Sequence, residues 1–279
     1  MKSSTSYLVL FVNLFVQSAT ASCGHGTSLH KRTVTTNGLV KRVEVGKFGY
    51  IGTQGPANWQ NLAPENVQCA NGSNQSPINI TPESSTLVEP GSLTINIPAV
   101  EAAEFENLGT TIEVLMEGKN ASSVIGGKSF SLKQFHFHSP SEHTIAGEHF
   151  PLEMHMVHEA EDKSIAVLTV LFQLCEANGG NPVINALLPS IEAIRAPGSV
   201  TETGPIDFAP LITALNAQPM RMYQGSLTTP PCTEGPSFVI TTQTLPLDIK
   251  AYNMFKSVVG FNSRFLQTSI GEPNVLAAK

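Results

Sequence analysis

Gln134-Phe-His-Phe-His138 and, beyond a turn, Leu152-Glu-Met-His-Met-Val-His158 are the segments from which this 279-residue chain can be built outward. In both, apolar and polar side chains alternate, the period-two pattern of a strand with one face toward a core. Phe135 and Phe137 then point one way, and Gln134, His136 and His138 the other. The two imidazoles on that second face lie about 6.6 Å apart along the strand at ~3.3 Å per residue, close enough to converge on one ion. Ser139-Pro140-Ser141 and Gly147 carry the turn chemistry that returns the chain. A neighbouring strand ~4.8 Å away then brings His155 up to the pair.

Three neutral imidazoles without a thiolate or carboxylate suit one Zn(II), with the fourth tetrahedral position left for water. A lone His-x-His is commonly a surface pair or a hydrogen-bonded core pair. The third histidine on a second strand turns the reading toward a metal site, and six of the eight histidines fall between residues 136 and 158. A ligating ring needs its other nitrogen tied down to fix the tautomer. Gln134 and Glu153, each two residues before a histidine and on the same face, can do this; the alternative for Glu153 is a solvated carboxylate. His143 and His158 read as structural and His149 as a loop residue.

Working outward, further strand patterns occur at Leu93–Ile97, Thr111–Met116, Ile165–Leu174, Met220–Gln224 and Phe238–Thr242. Helical spacing is strong in two places. Pro182–Arg195 has Asn181 as N-cap, and Asp248–Val259 has Ile249, Tyr252, Phe255 and Val259 facing inward. No internal repeat or linker divides the chain after residue 43. The expectation is one mainly β (α+β) domain over residues 43–279, with a few short peripheral helices.

The composition narrows the function. Sixteen basic against 22 acidic residues give a net charge of -6 with no basic run, which excludes an electrostatic nucleic-acid or anionic-membrane binder and leaves small-molecule substrates. Lys2, the apolar run from Tyr7 to Val16 and Ala19-Thr20-Ala21 read as a secretory signal peptide over residues 1–21. Residues 22–42, which end on Lys41-Arg42, read as a propeptide with dibasic sites or as a basic arm. No segment is apolar for the ~18 residues a membrane anchor needs, so the product is expected outside the cell. Asn71, Asn74, Asn79 and Asn120 head Asn-x-Ser/Thr sequons, candidate glycan acceptors in a secreted chain. Cys69 and Cys232 both lie in turn-rich sequence and are expected to pair, whereas Cys175 closes an apolar run and reads as a buried small hydrophobe. Cys23 has no evident partner.

Together with Ser226-Leu-Thr-Thr-Pro-Pro-Cys232, Asn71-Gly-Ser-Asn-Gln-Ser-Pro-Ile-Asn-Ile80, Phe48-Gly-Tyr50, Trp59 and Arg264, the histidine strings resemble the α-class carbonic anhydrases over nearly all of residues 46–270. The resemblance implies a large twisted, mostly antiparallel sheet with zinc at the floor of a conical cavity. It also implies reversible hydration of carbon dioxide to bicarbonate and a proton. Thr228 matches the threonine that accepts a hydrogen bond from the zinc-bound nucleophile and donates its own to Glu142, since an ionised carboxylate can only accept. Thr229 matches a position near bicarbonate. Val157, Val167 and Leu227 match the apolar wall where carbon dioxide rests, although Val167 also reads as ordinary core. Phe238 stands where the family often has Trp.

One departure concerns proton transfer. Thr110 occupies the place of the histidine that relays the proton in fast members, and a hydroxyl without a pKa near 7 cannot do so. Glu113 is a weak substitute. Two other readings compete. His136-x-His138-x-x-x-Glu142 also fits a cupin-type metal oxygenase with Glu142 as a ligand, although the second cupin motif is missing. A secreted module of the same fold could also bind zinc without catalysis.

Overall fold

The structure is a computed structural model and describes residues 42–176 and 180–277. The signal segment 1–21, Cys23 and all of the 22–42 arm except Arg42 lie outside the described residues. The strands are β1 (Asn79–Ile80), β2 (Thr86–Val88), β3 (Thr94–Asn96), β4 (Glu104–Asn107), β5 (Ile112–Leu115), β6 (Ser122–Ile125) and β7 (Lys128–His138). They continue with β8 (Thr144–Ile145), β9 (Leu152–Glu159), β10 (Ile165–Cys175), β11 (Val200–Glu202), β12 (Met220–Ser226), β13 (Glu234–Thr241) and β14 (Leu245–Asp248).

A 12-stranded sheet runs in the order β11-β4-β5-β7-β9-β10-β13-β12-β2, with β6 on β7, β3 on β6 and β14 on β10. Its pairings are antiparallel except β10 with β13 and with β14. β1 and β8 form a small parallel pair. The three long strands β7, β9 and β10 are neighbours at the centre. This explains why Ile165 to Phe172 is an unbroken apolar run save Thr169: a strand covered on both faces has no solvent side to alternate with.

One face of the sheet carries the main core, where Phe135, Phe137, Met154, Met156, Leu168 and Phe172 are fully buried. Three helices cover it: α2 (Pro182–Ile191), α3 (Ala209–Asn216) and α4 (Ile249–Val259), α1 (Gln68–Asn71) lying elsewhere. Phe137 meets Phe255 of α4 edge-on at 4.9 Å between ring centroids, and Phe135 meets Phe208 at 5.9 Å. The histidines lie on the opposite face, over a rigid hydrophobic base.

The helices differ from expectation in detail. Asn181 Oδ1 accepts from Val183 N (3.0 Å) and Pro182 opens α2, but the α-helix ends at Ile191 and continues as a 3-10 turn over Glu192–Ile194. In α4, Asp248 is the N-cap and accepts from Lys250 N and Ala251 N. Ile249 is 50% exposed rather than inward, because the packed stripe is set by Ala251, Phe255 and their i+4 and i+7 neighbours. α3 was not anticipated; its eight residues bury Leu211 and Leu215, too few to show a period. Cys175 is also corrected. It is a free, half-exposed thiol, since the end of β10 runs past the core and leaves Gln173 and Leu174 in solvent.

Cys69 and Cys232 form a disulfide across a separation of 163 residues, joining α1 to the turn after β12. Among the described residues no helix is long and apolar enough to cross a membrane.

Candidate metal centre

The register of β7 against β9 sets His136 opposite His155 and His138 opposite Glu153. The ring centroids of His136, His138 and His155 are 4.6 to 5.2 Å apart, and one nitrogen from each lies within 4.8 Å of the others. All three are buried. The second nitrogen of each ring is tied. His136 Nδ1 donates to Gln134 Oε1 (2.8 Å), His155 Nε2 to Glu153 Oε1 (2.5 Å) and His138 Nδ1 to the backbone oxygen of Asn262 (2.8 Å). These acceptors leave Nε2 of His136, Nε2 of His138 and Nδ1 of His155 as the basic nitrogens facing one another.

His138 Nε2 is buried and has no hydrogen-bond partner. A buried unpaired acceptor is costly in a protein interior unless something binds it. The donor set, the locked tautomers and this unpaired nitrogen all fit Zn(II). A second cluster, His143, Glu153 and His155, is not a rival site, because its polar atoms bond to one another.

Electrostatics favour the neutral ring at His136 and His138 and the opposite at His155. Burial, with the charges of His138 and His155, holds His136 well below the usual histidine range. Burial also lowers His138, against the opposing pull of Glu142. For His155 burial works the same way, yet the charge and hydrogen bond of Glu153 outweigh it and raise the ring above its ordinary value. Burial alone would raise the Glu153 carboxyl, but His143 and His155 bring it well below the carboxylate range. Glu153 thus stays ionised, receiving His143 N (2.9 Å) and His143 Nδ1 (2.7 Å) as well as His155. His143 Nε2 continues to the Tyr223 hydroxyl (2.7 Å), which meets Ser76 Oγ (2.7 Å).

The remaining named residues surround this centre. Glu142 Oε1 accepts from Arg264 N (2.9 Å) and lies 3.5 Å from His138 Nδ1, on the side of the ring away from the free Nε2. Glu142 is therefore not a fourth donor, which removes the cupin arrangement. Its Oε2 is buried without a partner, so the bond from Thr228 is not made in this structure. Thr228 and Thr229 are buried in the turn after β12, which Leu227 N–Thr233 O and Cys232 N–Thr229 O, each 2.9 Å, and the disulfide close. Leu227, Val157 and Val167 share one apolar cluster with Phe238 and Tyr223, and Val157 pairs with Val167 across β9 and β10. Thr110 is buried, and its hydroxyl has no partner. Glu113 is buried in β5 opposite His136.

The sequence reading does not mark Asn262 and gives Arg264 no role of its own. Asn262 holds His138 through its backbone oxygen, while its side chain binds Ser139 N, Phe137 O and Thr110 O. It is 124 residues from His138 in a segment of no regular period, so no local signal marks it. Arg264, named only as part of the resemblance, is fully buried. It reaches Ser76 O, Gln75 Oε1 and Cys69 O and lies over the Trp59 ring, while its own backbone N grips Glu142.

A mixed twisted sheet with three convergent, buried imidazoles on one face defines a class of proteins whose three-histidine site has the geometry to hold one metal ion. Residues 54–271 match the family described as eukaryotic-type carbonic anhydrase. The chain is 37% identical over 224 residues to a carbonic anhydrase of Neisseria gonorrhoeae, covering 76% of this chain and 81% of that one. It is similar to the α-carbonic anhydrase of Aspergillus oryzae, with a TM-score of 0.80 and 38% identity over 84% of this chain and 98% of the other. It is also similar to dioscorin dioA3 of Dioscorea japonica, 33% identical over 78% of this chain and 79% of that one. The chain belongs to the carbonic anhydrase family.

Proposed function

We infer that the chain is a zinc-dependent carbonic anhydrase that interconverts carbon dioxide and bicarbonate. The observation that carries this is the convergence of three basic ring nitrogens, one of them a buried acceptor with nothing bonded to it. His136, His138 and His155 would hold one Zn(II). When bound there, zinc acts as a Lewis acid that brings a water's pKa near 7, a value known from carbonic anhydrase itself.

The chain's own groups supply orientation and exclusion. Gln134, Glu153 and Asn262 O hold the three rings in their ligating tautomers. Glu142, already receiving Arg264 N on one oxygen, keeps the other for a donor; Thr228 is the hydroxyl proposed to fill it, which leaves the Thr228 oxygen to accept a hydrogen bond from the reacting nucleophile. Val157, Val167 and Leu227 form the apolar wall proposed for the neutral gas, and Thr229 is proposed to bind the anionic product.

Secretion belongs to the same proposal. Residues 1–21 would be the leader, 22–42 a propeptide or arm and 43–279 the catalytic domain. The disulfide, the sequons and the apolar N-terminal run support it. The test is stoichiometric zinc measured with the CO2-hydration rate at two buffer concentrations. One zinc per chain with rapid acidification is expected; zinc without hydration would favour the non-catalytic module.

A further inference from the structure

Gln75-Ser76 lies inside the string Asn71 to Ile80 and takes no part in holding the three imidazoles. Both residues are buried, and between them they reach two separate parts of the site. On one side is Arg264. Its Nη1 donates to Ser76 O (2.6 Å) and its Nη2 to Gln75 Oε1 (3.0 Å), while its own backbone N donates to Glu142 Oε1 (2.9 Å). On the other side are the end of β12 and the turn that follows. Gln75 Nε2 donates to Cys232 O (3.0 Å), and Cys232 N donates to Thr229 O (2.9 Å). Ser76 N donates to Ser226 Oγ (2.9 Å) and Ser226 N to Ser76 Oγ (3.0 Å), two residues before Thr228. Glu142 and Thr228 are therefore each tied to the same pair of residues.

The chemistry of the partners fixes this clamp. The Gln75 amide fits only one way round, because its oxygen meets a guanidinium, which only donates, and its nitrogen meets the Cys232 carbonyl and Glu234 Oε1 (3.1 Å), which accept. Ser76 is constrained in the same manner. Its Oγ accepts from Ser226 N, and its other partner among the described residues is the Tyr223 hydroxyl (2.7 Å), so its own proton goes there. Leaving any of these buried groups unpaired is costly, so each link resists being stretched. Two glycines make room for the contacts. A Cβ on Gly72 would overlap Gln75 Nε2, and one on Gly225 would overlap Ser76 Oγ and the Tyr223 ring. The register of β12 on β13 shifts at that second glycine, between Gln224 and Ser226, which brings the strand end against Ser76.

We propose that Gln75 and Ser76 are positioning residues that set the separation of Thr228 from Glu142, and so whether Thr228 can donate to the buried, unpaired Glu142 Oε2. The proposal rests on the catalytic reading of that pair. Gln75 and Ser76 act through Arg264 and the turn, at one remove from the reacting groups.

The test uses the zinc-loaded full chain and Gln75→Glu, which keeps an acceptor for Arg264 but sets a carboxylate against Cys232 O and Glu234. Bound zinc is expected to stay at the wild-type level. In crystals of the loaded proteins, Thr228 Oγ1 is expected within about 3.0 Å of Glu142 Oε2 in wild type and beyond about 3.5 Å in the variant. The kcat for CO2 hydration is expected to fall about tenfold, since misplacing a group by about 1 Å costs up to about 100-fold. In a Thr228→Ala background the same substitution should change kcat by less than about twofold, because no hydroxyl is left to misplace. A purely structural role gives the same fall in both backgrounds, and that result overturns the proposal. A wild-type crystal without the Thr228–Glu142 bond, or a variant in which the bond is unchanged, overturns it as well. Should Gln75→Glu fail to fold, Ser76→Ala, which removes only the bonds at Oγ, is read by the same three measurements. Wild type that makes the bond yet hydrates no CO2 ends the catalytic reading, and the crystal distances then decide this proposal on their own.

Discussion

His138 shows how much of a metal site resides in single polar atoms. Its Nδ1 is held by Asn262 O and its Nε2 is buried without a partner, so replacing the ring removes a donor that no neighbour can supply. His138→Ala is expected to lose both zinc, measured by metal analysis after dialysis, and CO2 hydration. Thr228→Ala touches none of the three donors. It should keep stoichiometric zinc while hydration falls by about 100-fold, the upper range for groups that orient a site from outside the ligand set. Thr110 gives a third expectation at this scale. Its hydroxyl does not titrate near neutrality, so turnover in weak buffer should be limited by proton removal and rise with imidazole concentration. Thr110→His should raise turnover in weak buffer; buffer-independent turnover in the wild type would count against this account.

At the scale of elements, β9 works on both of its faces. His155 looks to the metal side, while His158 looks into the other layer, where Nδ1 donates to Met156 O (2.8 Å) and Nε2 meets Ser123 Oγ (3.1 Å). Burial pushes the His158 pKa down to about 4 from 6.5, against the smaller opposing pull of the Met156 bond. The unfolded chain therefore binds a proton near pH 6.5 that the folded chain refuses until about pH 4. The contribution of His158 to stability should be full above pH 6.5 and fall by about 3 kcal/mol as the pH drops to 4. Urea unfolding from pH 7 to 4 reads this, and in His158→Gln the slope over that range should flatten. The elements themselves were legible to different depths. β7 and β9 carry period two because one face holds polar ligands, and α2 and α4 announce themselves through Asn181 and Asp248. Short edge strands such as β2 and β11 have too few residues to show a period, and β14 consists of four residues with an internal Pro246.

Over the whole molecule, the disulfide joins α1 to the turn that carries Thr228, and Arg264 joins the same region to Glu142. Closing a loop of this separation is worth at most about 5 kcal/mol in the chain-entropy treatment. The paired Cys69→Ser, Cys232→Ser protein should unfold at clearly lower urea, and unchanged stability would mean that the noncovalent ties of the region, in which Ser76 N donates to Ser226 Oγ (2.9 Å) and Ser226 N to Ser76 Oγ (3.0 Å), suffice. Local pattern alone marked the strand faces, the ligand-face histidines of β7 and β9 and the Asn181 cap, because each depends on a repeat or a chemical type within a few residues; the pairing of Cys69 with Cys232 was expected from their shared turn-rich setting and not from any local repeat. The tertiary structure decided what holds His138, what grips Glu142 and which face of α4 is buried. Those contacts join segments more than a hundred residues apart or depend on packing between layers, and no periodicity along a chain encodes them.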